Sequence, residues 1–388
     1  MLLTNVLIAR YTFNANSVAI VPVALLNIER TFYIYTRIIR FQVPNRRKAS
    51  DKSVAIALEI AGSQSALALV DRGGVIRHRC YAKTLWGRPA IASLEPYLRA
   101  IEYLFAHAKA EGWRVRGLGV SIPGTLDQLS RRPLTIPILP SLNDFPLCDL
   151  LEARYDLPVC LHVDVDAALL GEYHYGAGKG YHRLLYLTLN AVVGAALFID
   201  GQLERSPHAS VGHISHVPVS ANGPRCSCGK RGCINSFVSL DAIQKMVQRA
   251  LRRGEETSLA QRLNNREYFS PQLLAEEAVR GDAVALQVYA EVGRWLSEAT
   301  ARYIALFEPH ALILGGSVLN ASEYLFASMQ STLTMHASTS VDTPIKVVLA
   351  HLGNDAGLIG TTVPLLQNSG KLKTSMPASS LSPVSSEQ

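Results

Sequence analysis

Residues 54–74 read VAIALEIAGSQSALALVDRGG, and this stretch decides how the first part of the chain folds. Val54–Ile60 and Ala66–Val70 are short aliphatic runs of strand length, divided by the small-residue turn Ala61-Gly62-Ser63. Asp71-Arg72-Gly73-Gly74 is a tight turn leading to a third strand near Val75–Tyr81. Three strands joined by turns form a β-meander. Beyond it, Leu94–Gly112 sets Leu98, Ile101, Leu104 and Phe105 at helical spacing. Leu118–Ile122 reads as a short buried strand ended by Pro123-Gly124. Pro146–Tyr155 reads as a helix, Val159–Val163 as a strand, and Asp166–Tyr175 as a helix.

The second part repeats the opening. Leu184–Leu189 and Ala195–Ile199 are strands, with Asp200-Gly201 as a hairpin turn. Helices follow over Leu240–Arg252, Ser270–Arg280 and Asp282–Phe307. A strand over Ala311–Leu314 ends in Gly315-Gly316, Ile345–Ala350 is the last strand, and Gly357–Leu366 is predicted as one closing helix. Two meanders that each open an α/β unit predict two lobes: 51–163 with a closing segment near 351–367, and 164–350. Clefts between lobes are where small molecules bind. The plan resembles the two-lobed actin-like and sugar-kinase (ribonuclease-H-like) architecture.

Composition narrows the class. The chain has 388 residues, too many for one core, which favours two domains and a short appendage. Its net charge is +7, but Arg30, Arg37, Arg40, Arg46, Arg47 and Lys48 crowd the first fifty residues. The basicity therefore belongs to an N-terminal segment suited to an acidic partner rather than to the whole surface. The apolar stretch Ser17–Ile28 is short and holds Pro22, which argues against a membrane span. A signal-peptide reading also fails, because no basic start or cleavage site frames that stretch. These features predict a cytoplasmic protein with no membrane partner. Residues 368–388 are rich in Ser and Pro and are expected to be disordered. Six cysteines in so long a chain do not make a disulfide scaffold. Cys80, Cys148 and Cys160 fall in or near apolar segments and read as ordinary buried residues.

The other three cysteines are clustered. His216 precedes Cys226 by ten residues, and Cys226, Cys228 and Cys233 form a C-x-C-G-x-x-G-C pattern. Two thiolates one residue apart reach one metal only if the backbone turns sharply, which Gly229 and Gly232 permit. Three thiolates and one imidazole make a closed tetrahedral zinc site, structural rather than catalytic. The alternative is three reduced thiols in a loop beside a surface histidine.

Gly212-His213-Ile214-Ser215-His216 followed by CSCGKRGC resembles the signature of the ROK family (repressor, open reading frame, kinase). IPGTLD at 122–127, VDVDAALLGE at 163–172, ILGGSV at 313–318 and GNDAGLIG at 353–360 fall in that family's order. The likeness runs from about Val54 to Leu366. It implies kinases that phosphorylate sugars with Mg-ATP, repressors that sense sugars, and homo-oligomers, either dimers or tetramers.

The resemblance also identifies which working parts are altered. Asp164, eight residues before Glu172, matches the kinases' catalytic base, but their sugar-binding Asn is here Val163. Their first phosphate loop, Asp-x-Gly-Gly-Thr-Lys, becomes Glu59-Ile60-Ala61-Gly62-Ser63-Gln64. Their second, Gly-Thr-Gly-x-Gly-Gly-Gly, becomes Asn190-Ala191-Val192-Val193-Gly194-Ala195-Ala196. Loops that cradle phosphate with bare N–H groups suit glycine and not valine. The sugar motif Glu-x-Gly-His becomes His213-Ile214-Ser215-His216, and the Glu after the zinc cysteines becomes Asn235. Candidate ligand contacts are therefore Asp164, His213, His216 and Asn235. The residues of a degenerate nucleotide site are Gly62, Ser63, Gly194, Gly315 and Gly316.

Three functions remain in play: a sugar-sensing regulator without kinase activity, an ATP-dependent sugar kinase of glucokinase or N-acylhexosamine kinase type, and a protein-interaction module docking through its zinc loop. Residues 1–50 carry no recognisable helix-turn-helix, although PNRRK at 44–48 resembles a repressor's basic linker. DNA contact is left open, through phosphates alone.

Overall fold

A computed structural model describes residues 52–204, 214–264, 268–317, 322–337 and 345–367. The basic segment 1–50, His213 and the tail 368–388 lie outside the described residues.

The opening meander is present: β1 (Ser53–Glu59), β2 (Gln64–Asp71) and β3 (Ile76–Lys83) pair antiparallel. After α1 (Ala90–Ala110), β4 (Arg114–Ile122) lies parallel to β1. A small hairpin, β5 (Thr125–Asp127) with β6 (Arg132–Thr135), and α2 (Leu147–Tyr155) come next. Then β7 (Val159–Val163) completes a sheet of order β3-β2-β1-β4-β7, and α3 (Asp164–Tyr175) follows with no intervening loop.

The alternation along β1 explains the layers. Val54, Ile56 and Leu58 face Leu94, Tyr97, Ile101 and Leu104 of α1 in one core. Ala55 and Ala57 face the other way, toward Leu358, Ile359, Leu365 and Leu366 near the end of the chain. Small residues on that face permit close approach; a Cβ on Gly119 would stand 2.3 Å from the Thr361 carbonyl oxygen.

The second sheet has the same plan. β8 (Arg183–Leu189), β9 (Val193–Ile199) and β10 (Gln202–Leu203) are antiparallel. The four-residue α4 (Asn235–Val238) leads to α5 (Leu240–Arg252), α6 (Ser258–Asn264), α7 (Pro271–Val279) and α8 (Ala283–Phe307). β11 (Ala311–Gly315), α9 (Ser322–Ala337) and β12 (Lys346–Leu349) complete a sheet of order β10-β9-β8-β11-β12. Its core joins Leu185, Leu187 and Leu312 to Val247, Leu274, Val288 and Leu296.

The expected closing helix is instead two, α10 (Ala356–Gly360) and α11 (Val363–Gln367). Thr361 and Thr362 break it, their hydroxyls donating to the carbonyls of Leu358 and Ile359 at 2.9 and 2.7 Å. Such side-chain bonds compete with the helix ladder, and Pro364 supplies no N–H to continue it. α10 packs on α3 where Gly360 meets the backbone of Ala167 and Gly171. Of the three cysteines expected in apolar segments, Cys148 is buried, while Cys80 and Cys160 are half-buried. Among the described residues no helix is long and apolar enough to cross a membrane.

Candidate functional site

The metal-type residues converge. The ligand atoms of His216, Cys226, Cys228 and Cys233 all lie within 4.8 Å of one another. Cys226 Sγ stands 3.5 Å from His216 Nδ1, and Cys228 Sγ stands 3.6 Å from Cys233 Sγ. Zinc bonds of about 2.3 Å to sulfur and about 2.0–2.1 Å to nitrogen give tetrahedral edges of roughly 3.8 and 3.5 Å. The donor set therefore fits a tetrahedral metal. His216 ends a single 3-10 turn, and the cysteine loop is pinned by Cys226 N–H donating to the Lys230 carbonyl at 2.8 Å. Gly232, at φ +70°, is enforced: a Cβ there would sit 1.6 Å from the Ser220 carbonyl oxygen. Burial works to raise the Cys226 thiol, but hydrogen bonds from Cys228, Ser236 and His216 outweigh it and hold the thiol low. Burial and the neighbouring thiols push Cys233 up.

A second constellation gathers where β1 and β7 end. Asp164 is the first residue of α3, and its Oδ1 accepts the Val165 N–H at 2.8 Å. Burial pushes its carboxyl up to about 6. Val163, where the resemblance has an Asn, is buried and apolar. Glu59, the last residue of β1, is pushed up to about 7 by burial and then by the charges of Asp164 and Asp355, with Arg79 opposing. Arg79 on β3 pairs with Asp355 at 2.5 Å. Tyr186 on β8 lies beneath, its hydroxyl driven upward by burial and by Glu172, Asp164 and Glu59. A carboxylate at neutral pH beside one with a raised pKa can serve as a proton acceptor or as counter-charge to a cation.

The two loops that resemble phosphate loops are bonded internally. In the first, Ala61 N–H donates to Ser65 Oγ at 3.2 Å, and the Ala61 carbonyl accepts from Thr84 Oγ at 3.0 Å. Thr84 N–H binds the Ser63 carbonyl at 3.1 Å, so the Gly62-Ser63 turn is laced to β3. In the second, Asn190 Oδ1 accepts from both N–H and Oγ of Ser317, at 2.9 and 3.2 Å. Val193 N–H donates to Asn235 Oδ1 at 3.2 Å. Asn235 is thereby joined to this loop, and Val192 projects with 52% exposure. Gly194 packs against Thr188 and Val165, which sets the loop beside Asp164. A Cβ on Gly315 would lie 2.2 Å from the Tyr186 hydroxyl, and Gly316, at φ +105°, lies against the Leu189 backbone. Two N–H groups of these loops, those of Ala61 and Val193, are bonded within the protein, and Gln64 stands where the resemblance has a lysine; this set lacks the cation and the bare N–H groups that suit a magnesium nucleotide.

The structure thus brings Asp164, Gly194, Asn235, Gly315 and Gly316 around adjoining strand ends, with Gly62 and Ser63 in the turn after Glu59. The metal residues form a separate cluster. Arg79, Asp355, Tyr186 and Glu172 were not foreseen as parts of the site. Asp355 lies in the GNDAG segment, noted in the sequence only as a match to the family's order, and Tyr186 is hidden in an apolar run with nothing local to distinguish it.

Comparison with known proteins agrees with this geometry. The chain is 28% identical to a glucokinase of Thermotoga maritima, over 79% of this chain and 95% of that one. It is 24% identical to the DNA-binding transcriptional repressor Mlc of Escherichia coli, over 70% of this chain and 65% of that one. A solved ROK transcriptional regulator, a homologue of the E. coli Mlc protein, superposes with a TM-score of 0.73 at 23% identity, covering 81% of this chain and 78% of that chain. The model of the ROK family matches residues 55–367, so two sheets of this order, a four-residue Cys/His cluster and an aspartate at the start of α3 are here the features of a chain that belongs to the ROK family.

Proposed function

We propose that this chain is a sugar-binding regulator of the ROK family without effective phosphoryl transfer, and that its four-residue cluster holds a structural Zn²⁺. The observation that carries the first part is the internal bonding of both loops. Ala61 N–H and Val193 N–H have protein acceptors, and Asn190 fastens the second loop to Ser317. Phosphoryl transfer depends on positioning and charge stabilisation around the phosphates. Without that apparatus, Asp164 as a base supplies only about 10²–10⁴-fold.

His216, Cys226, Cys228 and Cys233 would fill a closed tetrahedral shell. A metal there fixes the loop and offers no open position for substrate. Homo-oligomerisation is expected by analogy with the family, and DNA contact would fall to residues 1–50.

The kinase reading keeps one favouring observation, the Asp164 carboxyl held near 6 at the start of α3. An ADP-release assay over glucose, mannose, N-acetylglucosamine and N-acetylmannosamine decides between them. The regulator reading expects no turnover above background; turnover in the ordinary kinase range of about 1–100 s⁻¹, abolished by Asp164→Ala, would replace it.

A further inference from the structure

Glu59 stands at the end of β1 with no hydrogen bond to its carboxylate among the described residues. In register beside it on β4 is Ser121, whose Oγ is fully buried and has no hydrogen-bond partner. His162 of β7 continues the row. The charged groups around Glu59 are Asp164 from α3, Asp355 from the turn before α10 and Arg79 from β3. Tyr186 of β8 feels the Glu59 charge from below. The single cation, Arg79, is already paired with Asp355. Glu59 and Asp164 therefore have no counter-charge of their own among the described residues.

We propose that this acidic strand end binds the protonated amine of a small polyhydroxylated ligand, an amino sugar with a free ammonium group, with Glu59 and Asp164 as its counter-charges. The proposal rests on the sugar-binding reading above and names its ligand class. A phosphate-bearing ligand would meet three carboxylates and one guanidinium that is already engaged. A hard divalent ion needs an octahedron of oxygens, ordinarily completed by substrate phosphates that the internally bonded loops do not hold. A neutral sugar would cover the half-buried Glu59 without pairing it, at a cost in free energy. One ammonium matches the pair, because Arg79 is engaged by Asp355 and leaves these two carboxyls to a single incoming cation. Its arrival favours their ionised forms, and each N⁺–H···O⁻ bond is stronger than a neutral one.

The test is isothermal titration of the full chain at pH 7 with glucosamine, glucose, N-acetylglucosamine, glucose 6-phosphate and magnesium chloride. Glucosamine is expected to bind about tenfold or more tightly than either neutral sugar, and glucose 6-phosphate more weakly than glucose. Glu59→Gln should erase the preference, bringing glucosamine and the neutral sugars to similar affinities. In the unmodified protein the preference should grow between pH 5 and 6.5, as the carboxylates begin to ionise while the amine of glucosamine stays largely protonated; this readout stands even if the variant fails to fold. Equal affinities, no glucosamine binding, a preference for the phosphate ester, magnesium binding ahead of glucosamine, or a preference that survives Glu59→Gln each overturn the proposal. Neutral sugars binding without an ammonium preference would sink it and leave the sugar-binding reading standing. ADP release would sink the regulator reading, with the ammonium preference still measured separately.

Discussion

The Leu352 N–H donates to Glu172 Oε1 at 2.7 Å, joining α3 to the segment that leaves the second sheet. Glu172 is fully buried, and its Oε2 accepts from Ala177 N–H at 2.7 Å and His351 N–H at 3.0 Å. His351 and Leu352 lie between β12 of the second sheet and α10, which packs against the first. One carboxylate therefore fixes the path of the chain from one sheet to the other, and with it the position of Asp355. Glu172→Ala should leave three amides without their acceptor, at about 1–3 kcal/mol for each buried group. The expected loss is about 3 kcal/mol or more in urea unfolding, with Glu172→Gln losing less because it keeps an acceptor oxygen. A loss under about 1 kcal/mol for the alanine variant would mean that water replaces the carboxylate.

The metal loop should report on itself through Trp295. Phe237, just past the last cysteine, stacks on Trp295 of α8 with ring centroids 4.0 Å apart, and the loop's Gly223 packs against the Phe237 ring. The purified protein is expected to hold one zinc per chain, with Cys228→Ser releasing it. Chelation should shift the indole emission, and Trp295→Phe should remove most of that shift although Trp86 and Trp113 remain. A folded protein with no metal by elemental analysis would sink the zinc assignment.

Stability should depend on pH through Glu59. Its folded pKa, about 7, is raised above the ordinary 4.5, so the folded state favours the protonated form. That contribution is complete below about pH 4.5 and is lost as pH rises through 7. Asp164, raised from 3.8 to about 6, acts in the same direction over a lower window. Glu59→Gln is therefore expected to flatten the stability profile between pH 4.5 and 7, and to raise stability at pH 8 by up to roughly 2–3 kcal/mol. Chemical denaturation at several pH values checks this; an unchanged slope would mean that the carboxyl is solvated and paired in solution.

The elements carried by strong local patterns were legible in the sequence. Val159–Val163 and Leu240–Arg252 match to the residue, because each is bounded by a turn or a cap, with Ser239 Oγ accepting the Ala242 N–H. The convergence of His216, Cys226, Cys228 and Cys233 was equally legible, since these four residues lie within eighteen positions of one another along the chain. α9 was missed because its SEYLFASMQSTLTMHA sequence mixes Ser and Thr with apolar residues and blurs the helical period. Arg79, Asp355 and Tyr186 were missed for a different reason. They reach Glu59 and Asp164 only through sheet register and the return of the closing segment, which no local spacing encodes.

The last prediction concerns the second loop. Asn190 Oδ1 takes both donors of Ser317, and Asn190 Nδ2 donates to Thr188 Oγ at 3.0 Å. Asn190→Ala should cost about 0.5–1.5 kcal/mol, the net worth of exposed neutral hydrogen bonds, and should speed amide exchange at Ser317. It should still yield no Mg-ATP binding. Asn190 is one of several obstacles: Val193 N–H remains bonded to Asn235, Ala61 N–H to Ser65, and Val192 still projects from the loop. Nucleotide binding needs both loops at once, so releasing one fastening exposes a loop without creating a phosphate cradle. Even Asn190→Gly with Val192→Gly should give no thermal shift with Mg-ATP, since the first loop is untouched. A ligand that binds the native state must raise apparent stability by RT ln(1 + [L]/Kd), so a shift absent at millimolar Mg-ATP sets Kd above that range. A clear shift in the unmodified protein would show that these hydrogen bonds open readily, and would return the chain to the kinase reading.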